Sequence, residues 1–364
     1  MVHLGDITKM SGYTIPPVDV ITFGSPCQDL SIAGKRAGMA GERSGLFSEA
    51  VRIIREMRYA TFGAYPKYAI WENVPGAFSS NKGEDFHAVL QSLCRVIDPA
   101  AVIPRPTDAR GGTIKWPRAG AILADNYSLA WRTMDAQHWG VPQRRLRISL
   151  VLDLTGGRAG EILFEPESLR GHFAPGITPG QAAPRTAENG SGTADRTDAI
   201  PISLYDARGN GDGMLSPTIT GDHNSRITDY TSVVIEKIIR WIVRRLTPTE
   251  CERLQGYPDG WTDLGEWVDS KGKIHKDADA PRYKALGNSI ALPQWYYVLG
   301  GISDRLPEDA TLGSLFDGIG GFPYVWAQLH AGCKELCVWA SEIEEFPIAV
   351  TKKWFPEVEN GKLC

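Results

Sequence analysis

Short apolar runs and helical segments alternate through the first 152 residues of the sequence. Val18–Phe23 and Tyr68–Trp71 are apolar runs that stop at Gly-Ser-Pro and Glu-Asn-Val-Pro, as buried strands stop at turns. Ser44–Arg58 and Phe86–Val96 have apolar residues at helical spacing, and Leu146–Leu152 is a further strand-like run. Strands that alternate with helices predict an α/β fold, in which helices cover both faces of a mainly parallel sheet.

The length and composition are those of an ordinary globular protein. A chain of 364 residues can bury one large core, or one core and a smaller domain. Its 42% hydrophobic and 23% charged residues are average values. No apolar run reaches the ~18–20 residues that span a bilayer, and the N-terminus lacks the charged and apolar regions of a signal peptide. We expect a cytoplasmic protein that makes no membrane contact.

The net charge of −4 argues against a surface that binds nucleic acid everywhere, although it permits a local basic face. Cationic residues cluster in three places. The clusters are Lys35, Arg36 and Arg43; Arg144, Arg145 and Arg147; and Arg240, Arg244 and Arg245. Each cluster alone is consistent with solvated surface charge. However, all three lie near candidate functional residues, which weighs against that interpretation.

The six cysteines are scattered, which is typical of packed thiols in a reducing compartment. Cys333 and Cys337 lie four positions apart, but no second Cys or His pair at zinc-ligand spacing completes a site. We expect no structural metal.

The amino-acid composition changes between residues 153 and 235. Gly, Pro, Thr, Asn and Asp dominate this region, as in a small irregular domain or a disordered insert. Tyr205, Ile219 and Val233–Ile235 offer core material, so we favour a small ordered domain.

A regular pattern of apolar and polar residues resumes after this region, at Glu236–Arg245. Thr247–Gly256 is predicted to be a helix, because Thr247 is a good N-cap and Pro248 suits the first helical position. Ala291–Leu299 is also predicted to be helical.

A polar stretch with a proline, residues 301–311, predicts a linker before a last strand at Thr311–Phe316. The expected organisation is therefore one domain built from residues 1–152, 236–300 and 312–364, with the smaller domain inserted at 153–235.

The Thr311–Phe316 strand opens directly into the turn Gly318-Ile319-Gly320-Gly321 and an apolar helix. Glycine lets a backbone approach a ligand closely, and a helix N-terminus offers unpaired N–H groups. Such a turn alone often serves only tight packing. An acidic residue about 20 positions further on suits a ribose, and Glu342 follows a second strand-like run near that distance. Together the two features favour a nucleoside cofactor.

Cys27 follows the first strand in the context Gly-Ser-Pro-Cys-Gln. A cysteine in a random position is most simply a packed thiol. However, the carboxyl ends of parallel strands are where α/β sheets bind ligands, and the loop after Cys27 carries Lys35, Arg36 and Arg43. Nearby positive charge lowers a thiol pKa and favours the nucleophilic thiolate, so Cys27 is a candidate nucleophile.

Three further segments place polar side chains at strand ends or turns. Glu72-Asn73-Val74 ends the second strand, where the carboxylate either caps the next segment or serves chemistry. Arg145 and Arg147 lie at alternate positions and are predicted to share one face of a strand. Gly287-Asn288-Ser289 is a turn that opens a helix, and it says little alone.

The identity and spacing of these segments resemble those of the C5-cytosine-specific DNA methyltransferases. The matching segments are Gly5-Asp6-Ile7, Pro26-Cys27-Gln28, Glu72-Asn73-Val74, Gln143–Arg147, Thr247–Gly256, Gly287-Asn288-Ser289 and Phe316–Phe322. In that family the glycine-rich cofactor motif comes first and the Gly-Asn-Ser motif last. Here the cofactor motif follows Gly-Asn-Ser, so the resemblance implies a circularly permuted motif order with residues 301–311 bridging the former termini.

The resemblance implies a Rossmann-like S-adenosylmethionine-dependent methyltransferase sheet, with residues 153–235 as a small, irregular target recognition domain. It implies that S-adenosylmethionine methylates C5 of a cytosine flipped out of duplex DNA. Within that scheme Cys27 adds to C6 of the base, and Glu72 holds its N3 and exocyclic amine. The other implied catalytic residues are Asn73, which braces the strand end, and Arg145 and Arg147, which anchor the base.

The resemblance also implies two sets of binding residues. For the cofactor they are Phe316, Asp317, Gly318, Gly320, Gly321, Glu342 (ribose), Ile343, Asp6 (adenine amine), Ile7, Pro26, Asn288 and Ser289. For DNA they are Gln28, Lys35, Arg36, Arg43, Arg208, Thr218, Asn224 and Arg226.

The implied partner is double-stranded DNA, bound by a monomer that a cognate restriction endonuclease can accompany. Two alternatives stay open, a tRNA cytosine-C5 methyltransferase of the same family and a catalytically inactive, sequence-specific DNA-binding protein. A Rossmann oxidoreductase would explain the glycines but not Cys27, Glu72 or Arg147.

Overall fold

The computed structural model describes residues 1–25, 45–164, 202–206, 232–237 and 241–357. The strands are β1 Val2–His3, β2 Val20–Phe23, β3 Tyr68–Asn73, β4 Ala119–Leu123, β5 Ser128–Asp135, β6 Leu146–Asp153, β7 Ile202–Asp206, β8 Ser232–Lys237, β9 Trp241–Arg245, β10 Trp267–Val268, β11 Ile274–His275, β12 Leu312–Leu315 and β13 Cys337–Ser341. The helices are α1 Leu46–Ala60, α2 Glu84–Cys94, α3 Ala159–Leu163, α4 Pro248–Gln255, α5 Asp279–Asn288, α6 Pro293–Ser303, α7 Gly321–Leu329 and α8 Glu345–Trp354.

Eight of the strands form one sheet in the order β1-β13-β12-β2-β3-β6-β5-β4. The strands from β1 to β3 in this order are parallel, and each strand from β6 onward is antiparallel to its preceding neighbour. The carboxyl ends of the parallel strands therefore meet at one edge of the sheet, called the carboxyl edge below. The opposite edge is called the amino edge. β7, β8 and β9 pair separately as an antiparallel sheet, and β10 with β11 forms a hairpin.

Apolar side chains cover both faces of the large sheet. Residues of α1 and α2 contribute to the core on one face, and residues of α3 to α7 contribute to the core on the other. Val20 and Ile21 are adjacent in β2, and each is fully buried in a different core. This explains the continuous apolar run in the sequence, because a strand covered on both faces has no polar side.

Two helices begin and pack as the sequence predicts. In α1, Phe47, Val51 and Ile54 recur at helical spacing and are buried. At the start of α4 the Thr247 hydroxyl accepts from the backbone N–H of Glu250 (3.2 Å), while the Glu250 carboxylate accepts from the N–H of Thr247 (2.7 Å). This reciprocal capping box fixes the first turn of the helix.

The structure differs from the predicted elements in several places. Gly287 and Asn288 are the last residues of α5, whereas the sequence predicts a turn there that opens a helix. Six further elements were not predicted, namely α3, α5, α8, β1, β10 and β11. β4 and β5 were not predicted either, and alternate residues of the edge strand β4 are exposed. Residues 301–303 complete α6, and Ile302 is fully buried, so the predicted linker is confined to 304–311. The patterned segment Glu236–Arg245 comprises the end of β8 and the whole of β9.

The last and first described segments meet at the amino edge. α8 leads away from the carboxyl end of β13, and the Met1 amino group donates to the carbonyl of Pro356 (3.3 Å). β1 then runs parallel to β13. Nearby, Asp19 ties together the starts of β12, β2 and β3, because it accepts from Thr311 N (2.9 Å) and pairs with Lys67 Nζ (2.8 Å).

None of the helices in the described ranges combines the length and the apolar character needed to cross a bilayer. Over the same residues, no group of three or more His, Cys, Asp or Glu side chains could hold a metal ion.

Candidate active site

The carboxyl edge of the sheet gathers polar side chains from three separate parts of the sequence. Glu72 lies near the end of β3, Arg147 lies near the start of its antiparallel neighbour β6, and the glycine turn follows β12. Because β6 is antiparallel, its first residues reach the edge at which β3 ends. The sheet topology alone therefore brings these residues to one edge.

Glu72 and Arg147 form an ion pair across neighbouring strands. Arg147 Nε lies 3.0 Å from Glu72 Oε1, and both side chains are largely shielded from solvent, with 13% and 15% of their surfaces exposed. Burial raises the pKa of Glu72, and the Arg147 charge opposes that rise. The site thus presents a carboxyl group that is more readily protonated than an exposed one and that is held in a fixed position.

The end of β3 is fastened to the end of β2 through Ser25. Asn73 Nδ2 donates to the Ser25 carbonyl (2.9 Å), and Trp71 Nε1 donates to the Ser25 hydroxyl (3.2 Å). A Cβ atom on Gly24 would lie only 3.1 Å from Glu72 Oε2, so glycine there lets the chain pass close to the carboxylate. Cys27 itself lies outside the described residues, two positions beyond the segment that Asn73 holds.

Arg145 is more deeply buried than Arg147, and the charges of both residues oppose the rise in the pKa of Glu72. The Arg145 guanidinium is buried, with Nη2 donating to the carbonyls of Gly287 (3.0 Å) and Ser289. Burial lowers the pKa of Arg145 well below its usual value, and the charge of Arg147 lowers it further. Arg145 therefore ties the Gly-Asn-Ser segment at the end of α5 to the start of β6.

Tyr257 connects the same segment to the glycine turn. Its hydroxyl lies 2.5 Å from Ser289 Oγ, and a Cβ atom on Gly321 would lie 2.5 Å from that hydroxyl. Tyr257 follows the Thr247–Gly256 segment, but its role could not be predicted from the sequence because it depends on contacts with residues far away in the chain.

The glycines of the turn have different reasons to be glycine. Gly318 has a φ of +59°, and a Cβ there would meet no atom within 4 Å, so its backbone borders open space. A Cβ on Gly320 would lie 2.9 Å from Thr351, and Gly321 is closely packed against Tyr257. Gly318 is thus suited to the close approach of a ligand, whereas Gly320 and Gly321 are required by packing.

Three strand ends are joined beside this turn. Glu342 Oε2 accepts from Gly318 N (2.9 Å), and Asp317 N donates to the Ser341 carbonyl (3.0 Å). The Ser341 hydroxyl donates to the carbonyl of Gly5 (2.7 Å), next to Asp6. The residues predicted to hold ribose and adenine are therefore neighbours, although they are distant in sequence.

The Asp6 carboxylate is exposed and accepts from the backbone N–H and hydroxyl of Thr8, and these hydrogen bonds lower its pKa. Ile7 is buried, whereas Asn288 and Ile343 are exposed, with 68% of the Ile343 surface accessible. Phe316 has a φ of +55°, which is unusual for a bulky residue, at the bend into the turn.

Asp317 carries the least compensated charge of the site. Its carboxylate oxygens are buried and have no hydrogen-bond partner among the described residues. Burial raises its pKa to about 8; the hydroxyl of Ser314 opposes this rise, and the nearby charge of Glu342 adds to it. A buried acidic group without a partner suits a positively charged ligand, and S-adenosylmethionine carries both an ammonium and a sulfonium. The residues present therefore fit that cofactor.

Several predicted site residues lie outside the described ranges. They are Pro26, Gln28, Lys35, Arg36, Arg43, Arg208, Thr218, Asn224 and Arg226.

Comparison with known proteins finds similarity to DNA methyltransferases. The family model for C-5 cytosine-specific DNA methylase matches residues 1–96, which include Glu72 and Asn73. The Type II methyltransferase M.BsuFI of Bacillus subtilis is 26% identical over 83% of this chain and 62% of its own length. M.HhaI of Haemophilus parahaemolyticus is 24% identical over 83% of this chain and 81% of its own length. The chain is therefore similar to C5-cytosine-specific DNA methyltransferases, in residues 1–96 by the family model and over most of its length by these relatives.

A phage protein named for a different methylation is also similar to this chain. The DNA N-6-adenine-methyltransferase of Escherichia phage P1 is 27% identical over 84% of this chain and 55% of its own length. The chain thus spans little more than half of the phage relative and less than two thirds of M.BsuFI.

Proposed function

We propose that this protein transfers a methyl group from S-adenosylmethionine to C5 of a cytosine in a specific sequence of duplex DNA. The observation that carries the proposal is the meeting of two half-sites at the carboxyl edge. One is the buried Glu72–Arg147 pair, and the other is the Gly318 turn bonded to Glu342. Similarity to C5-cytosine-specific DNA methyltransferases suggests the reaction class, and this geometry supports a base and a methyl donor lying side by side.

The base side of the site would act on the cytosine ring as follows. The Cys27 thiolate adds to C6, and the electron pair of the C5–C6 bond becomes available at C5. Glu72, whose pKa is raised by burial, donates its proton towards N3 while charge develops there. Arg147 holds the Glu72 carboxyl group in place and balances its charge when the proton has left. A base then removes the C5 proton, and the C6–sulfur bond breaks to release Cys27.

The cofactor side would orient the methyl donor, which supplies an electrophilic methyl group bound to sulfonium. Glu342 is positioned for ribose hydroxyls and Asp6 for the adenine amine, on either side of the joined strand ends. Asp317 would balance the positive charge of the amino-acid end. Ser289, held by Arg145 and Tyr257, would close the pocket opposite the glycine turn.

The stacked duplex hides C5 and C6, so the cytosine must be flipped out of the helix, at a cost of a few kcal/mol. The residues proposed to bind DNA and to form the target recognition domain belong to ranges 26–44 and 153–235. Their roles are proposed here only because they lie at the corresponding places in the order of the motifs.

The permuted motif order is part of the same proposal. β12 lies between β13 and β2, and β1 lies beside β13, so the C-terminal strands complete the N-terminal ones. A gene that places residues 312–364 before residues 1–303 should yield a protein that folds and binds S-adenosylhomocysteine. A rearranged chain that is unfolded would contradict this part of the proposal.

The decisive experiment is bisulfite sequencing of DNA from a host that expresses the protein. We expect cytosine methylation at one sequence context, and none with Cys27→Ser. Purified protein should also form a covalent adduct with duplex DNA containing 5-fluorocytosine at that context, and Cys27→Ser should not. Methylation of tRNA without methylation of DNA would overturn the substrate assignment. DNA binding with no adduct would favour an inactive DNA-binding protein.

A further inference from the structure

Residues 105–118, called the arm below, form a structured segment that the proposed chemistry does not use. The arm lies beyond the part of the chain that the family model matches, residues 1–96. Thr107 and Thr113 form a β-bridge, and Asp108 accepts from the N–H groups of Arg110 (2.9 Å) and Gly112 (2.8 Å). The arm is therefore a closed loop with its own internal hydrogen bonds.

An aromatic cluster anchors the arm to the body of the protein. Trp116 packs edge-on against Phe86 and Trp131, with ring centroids 5.4 Å and 6.1 Å away. Its Nε1 donates to the Gly83 carbonyl (2.8 Å), and Arg105 pairs with Glu84 at the start of α2. These contacts hold the arm rigidly, since each involves a buried ring or a helix terminus.

The anchors place the arm at the carboxyl edge, the same edge as Glu72 and Arg147. Only short 3-10 turns separate the end of β3 from α2, so α2 begins at this edge. The carbonyl of Arg118 accepts from Thr133 N (2.8 Å), and the next residue, Met134, pairs with Arg147 in the sheet. The backbone of Arg118 is thus about 10 Å from that of β6, two inter-strand spacings away.

The surface of the arm carries uncompensated positive charge. Arg110, Lys115 and Arg118 are exposed, as is Lys82, which lies beside the arm because its carbonyl accepts from Arg105 Nη2 (3.0 Å). None of these four cations has an ion-pair partner in the part of the chain that the structure describes. The carboxylates nearby are engaged, Glu84 with Arg105 and Asp108 with backbone N–H groups. Lys82 and the arm together carry these four cations and one carboxylate outside an ion pair, Asp108, so this segment is locally cationic in a protein whose net charge is −4.

The backbone beside the arm is also held in an uncommon conformation. Asn81 and Lys82 have φ values of +47° and +56°, and Gly83 follows at +87°. Left-handed backbone at two consecutive residues other than glycine costs about 1–2 kcal/mol each. This conformation persists because Gly83 and Glu84 are fixed by Trp116 and Arg105, and it presents Lys82 at the surface.

We infer that the arm and Lys82 form a phosphate-binding surface for duplex DNA that flanks the target base. The inference rests on the proposed function and extends it, because it assigns a second DNA contact outside both the 26–44 loop and the 153–235 region. Unpaired surface cations beside a catalytic edge match a polyanion by charge, and contacts to phosphates set the position of a duplex without reading its sequence. The arm would therefore contribute to affinity and not to sequence preference.

The test is the salt dependence of DNA binding by two matched variants. The arm variant carries Lys82→Gln, Arg110→Gln, Lys115→Gln and Arg118→Gln. The control variant removes four exposed cations away from the catalytic edge, through Arg55→Gln, Arg158→Gln, Lys334→Gln and Lys352→Gln. Both variants remove the same amount of positive charge, so a non-specific effect of net charge would be equal in the two.

Fluorescence anisotropy would follow a labelled duplex that contains the target sequence, with S-adenosylhomocysteine present. The slope of log K against log salt should become shallower by about 0.9 for each phosphate that the protein no longer binds, so by about 3–4 for the arm variant, between ~50 and 200 mM KCl. The control variant should keep the wild-type slope. Affinity for S-adenosylhomocysteine and the thermal midpoint should match wild type in both.

The outcomes separate this inference from the proposed function. If the wild type methylates DNA but the arm variant keeps its slope, or the slope of the control variant changes as much, the arm does not bind phosphates. If the arm variant loses affinity for tRNA and not for duplex DNA, the surface serves RNA and the inference is overturned. A shallower slope in the arm variant with an unchanged recognition sequence by bisulfite sequencing would support it.

Discussion

The carboxyl edge has a base side, around Glu72 and Arg147, and a cofactor side, around Asp317 and Gly318. Each side buries one carboxyl group, and the negative charges of the two groups are compensated in different ways. Glu72 has Arg147 as a partner at 3.0 Å, whereas Asp317 has no hydrogen-bond partner in the described residues. Burial raises the pKa of both groups. The protein therefore supplies the countercharge on the base side itself, while the cofactor side is built to accept a cation.

The largest effect that would test this comparison is on the base side. Glu72→Gln keeps the shape of the side chain but removes its titratable proton, so turnover should fall about 10²–10⁴-fold. DNA affinity should change little, because Arg147 can still bond to the amide oxygen. Single-turnover methyl transfer and fluorescence anisotropy would measure the two quantities. Glu308→Gln, at an exposed position in the loop before β12, is the control. Equal losses in turnover and binding would show that Glu72 has a structural role instead.

The second prediction concerns the buried hydrogen bonds from Arg145 to the carbonyls of Gly287 and Ser289, which connect the two sides. Arg145→Met removes the donor to the carbonyls of Gly287 and Ser289, and leaving those buried groups unpaired should lower the free energy of unfolding by about 2–5 kcal/mol. Urea unfolding measures this change. Arg145→Lys should recover part of it, while Arg55→Met on the exposed face of α1 should have a small effect. A stable Arg145→Met variant would mean that the segment is held in another way.

The glycine turn offers a smaller and more discriminating effect. Gly321→Ala would place a Cβ 2.5 Å from the Tyr257 hydroxyl, so it should lower stability by about 1–3 kcal/mol. Gly318→Ala meets no atom within 4 Å, and its left-handed backbone should cost only about 1 kcal/mol. Gly318→Ala should instead weaken S-adenosylhomocysteine binding in calorimetry more than it lowers the melting temperature. The opposite ranking would remove the distinction between a ligand-facing glycine and a packing glycine.

The last prediction concerns the pH dependence of stability that Asp317 imposes. Its pKa rises from 3.8 to about 8 on folding, so between these values the folded state keeps a proton that the unfolded state releases. This group therefore makes the protein less stable as pH rises through that window, and the effect levels off above about pH 8. Asp317→Asn lacks this dependence. Urea unfolding without cofactor should show that the stability of the variant rises relative to that of wild type from pH 4 towards pH 8.

Two controls complete the Asp317 experiment. Asp309→Asn, at an exposed position, should follow the wild-type pH profile. S-adenosylhomocysteine should bind Asp317→Asn more weakly than wild type, whereas 5′-methylthioadenosine, which lacks the ammonium, should bind both alike. Parallel pH profiles for Asp317→Asn and wild type would show that Asp317 is not the buried acid described here.

Local pattern was enough to predict elements whose causes are local. The α4 capping box is formed by Thr247 and Glu250, three positions apart. The buried apolar residues of α1 recur at helical spacing within that one helix. The sheet class followed from the strand–helix alternation, and the site edge followed from where those strands end. These features need only neighbouring residues and the geometry of a parallel sheet.

Features that depend on distant contacts could not be predicted in the same way. Arg145 and Arg147 lie at alternate positions, but Arg145 precedes β6 and turns towards carbonyls more than a hundred residues away. The burial of Asp317 and the Tyr257–Ser289 contact likewise depend on how α4, α5 and α7 pack together. β4 was not predicted, because a five-residue edge strand is too short for its pattern to distinguish it from a loop.

The position of β12 has a consequence for how the chain is made. β12 is a central strand, but it pairs with β2, and the bond from Thr311 to Asp19 spans 292 residues. At a synthesis rate of about 5–20 residues per second, β2 waits roughly 15–60 s on the ribosome before this neighbour exists. During that time the edge of β2 is exposed to other chains, and folding must finish after translation of β13. Slower translation should therefore lower the soluble yield of this protein, unlike that of a relative whose glycine-turn strand is synthesised first.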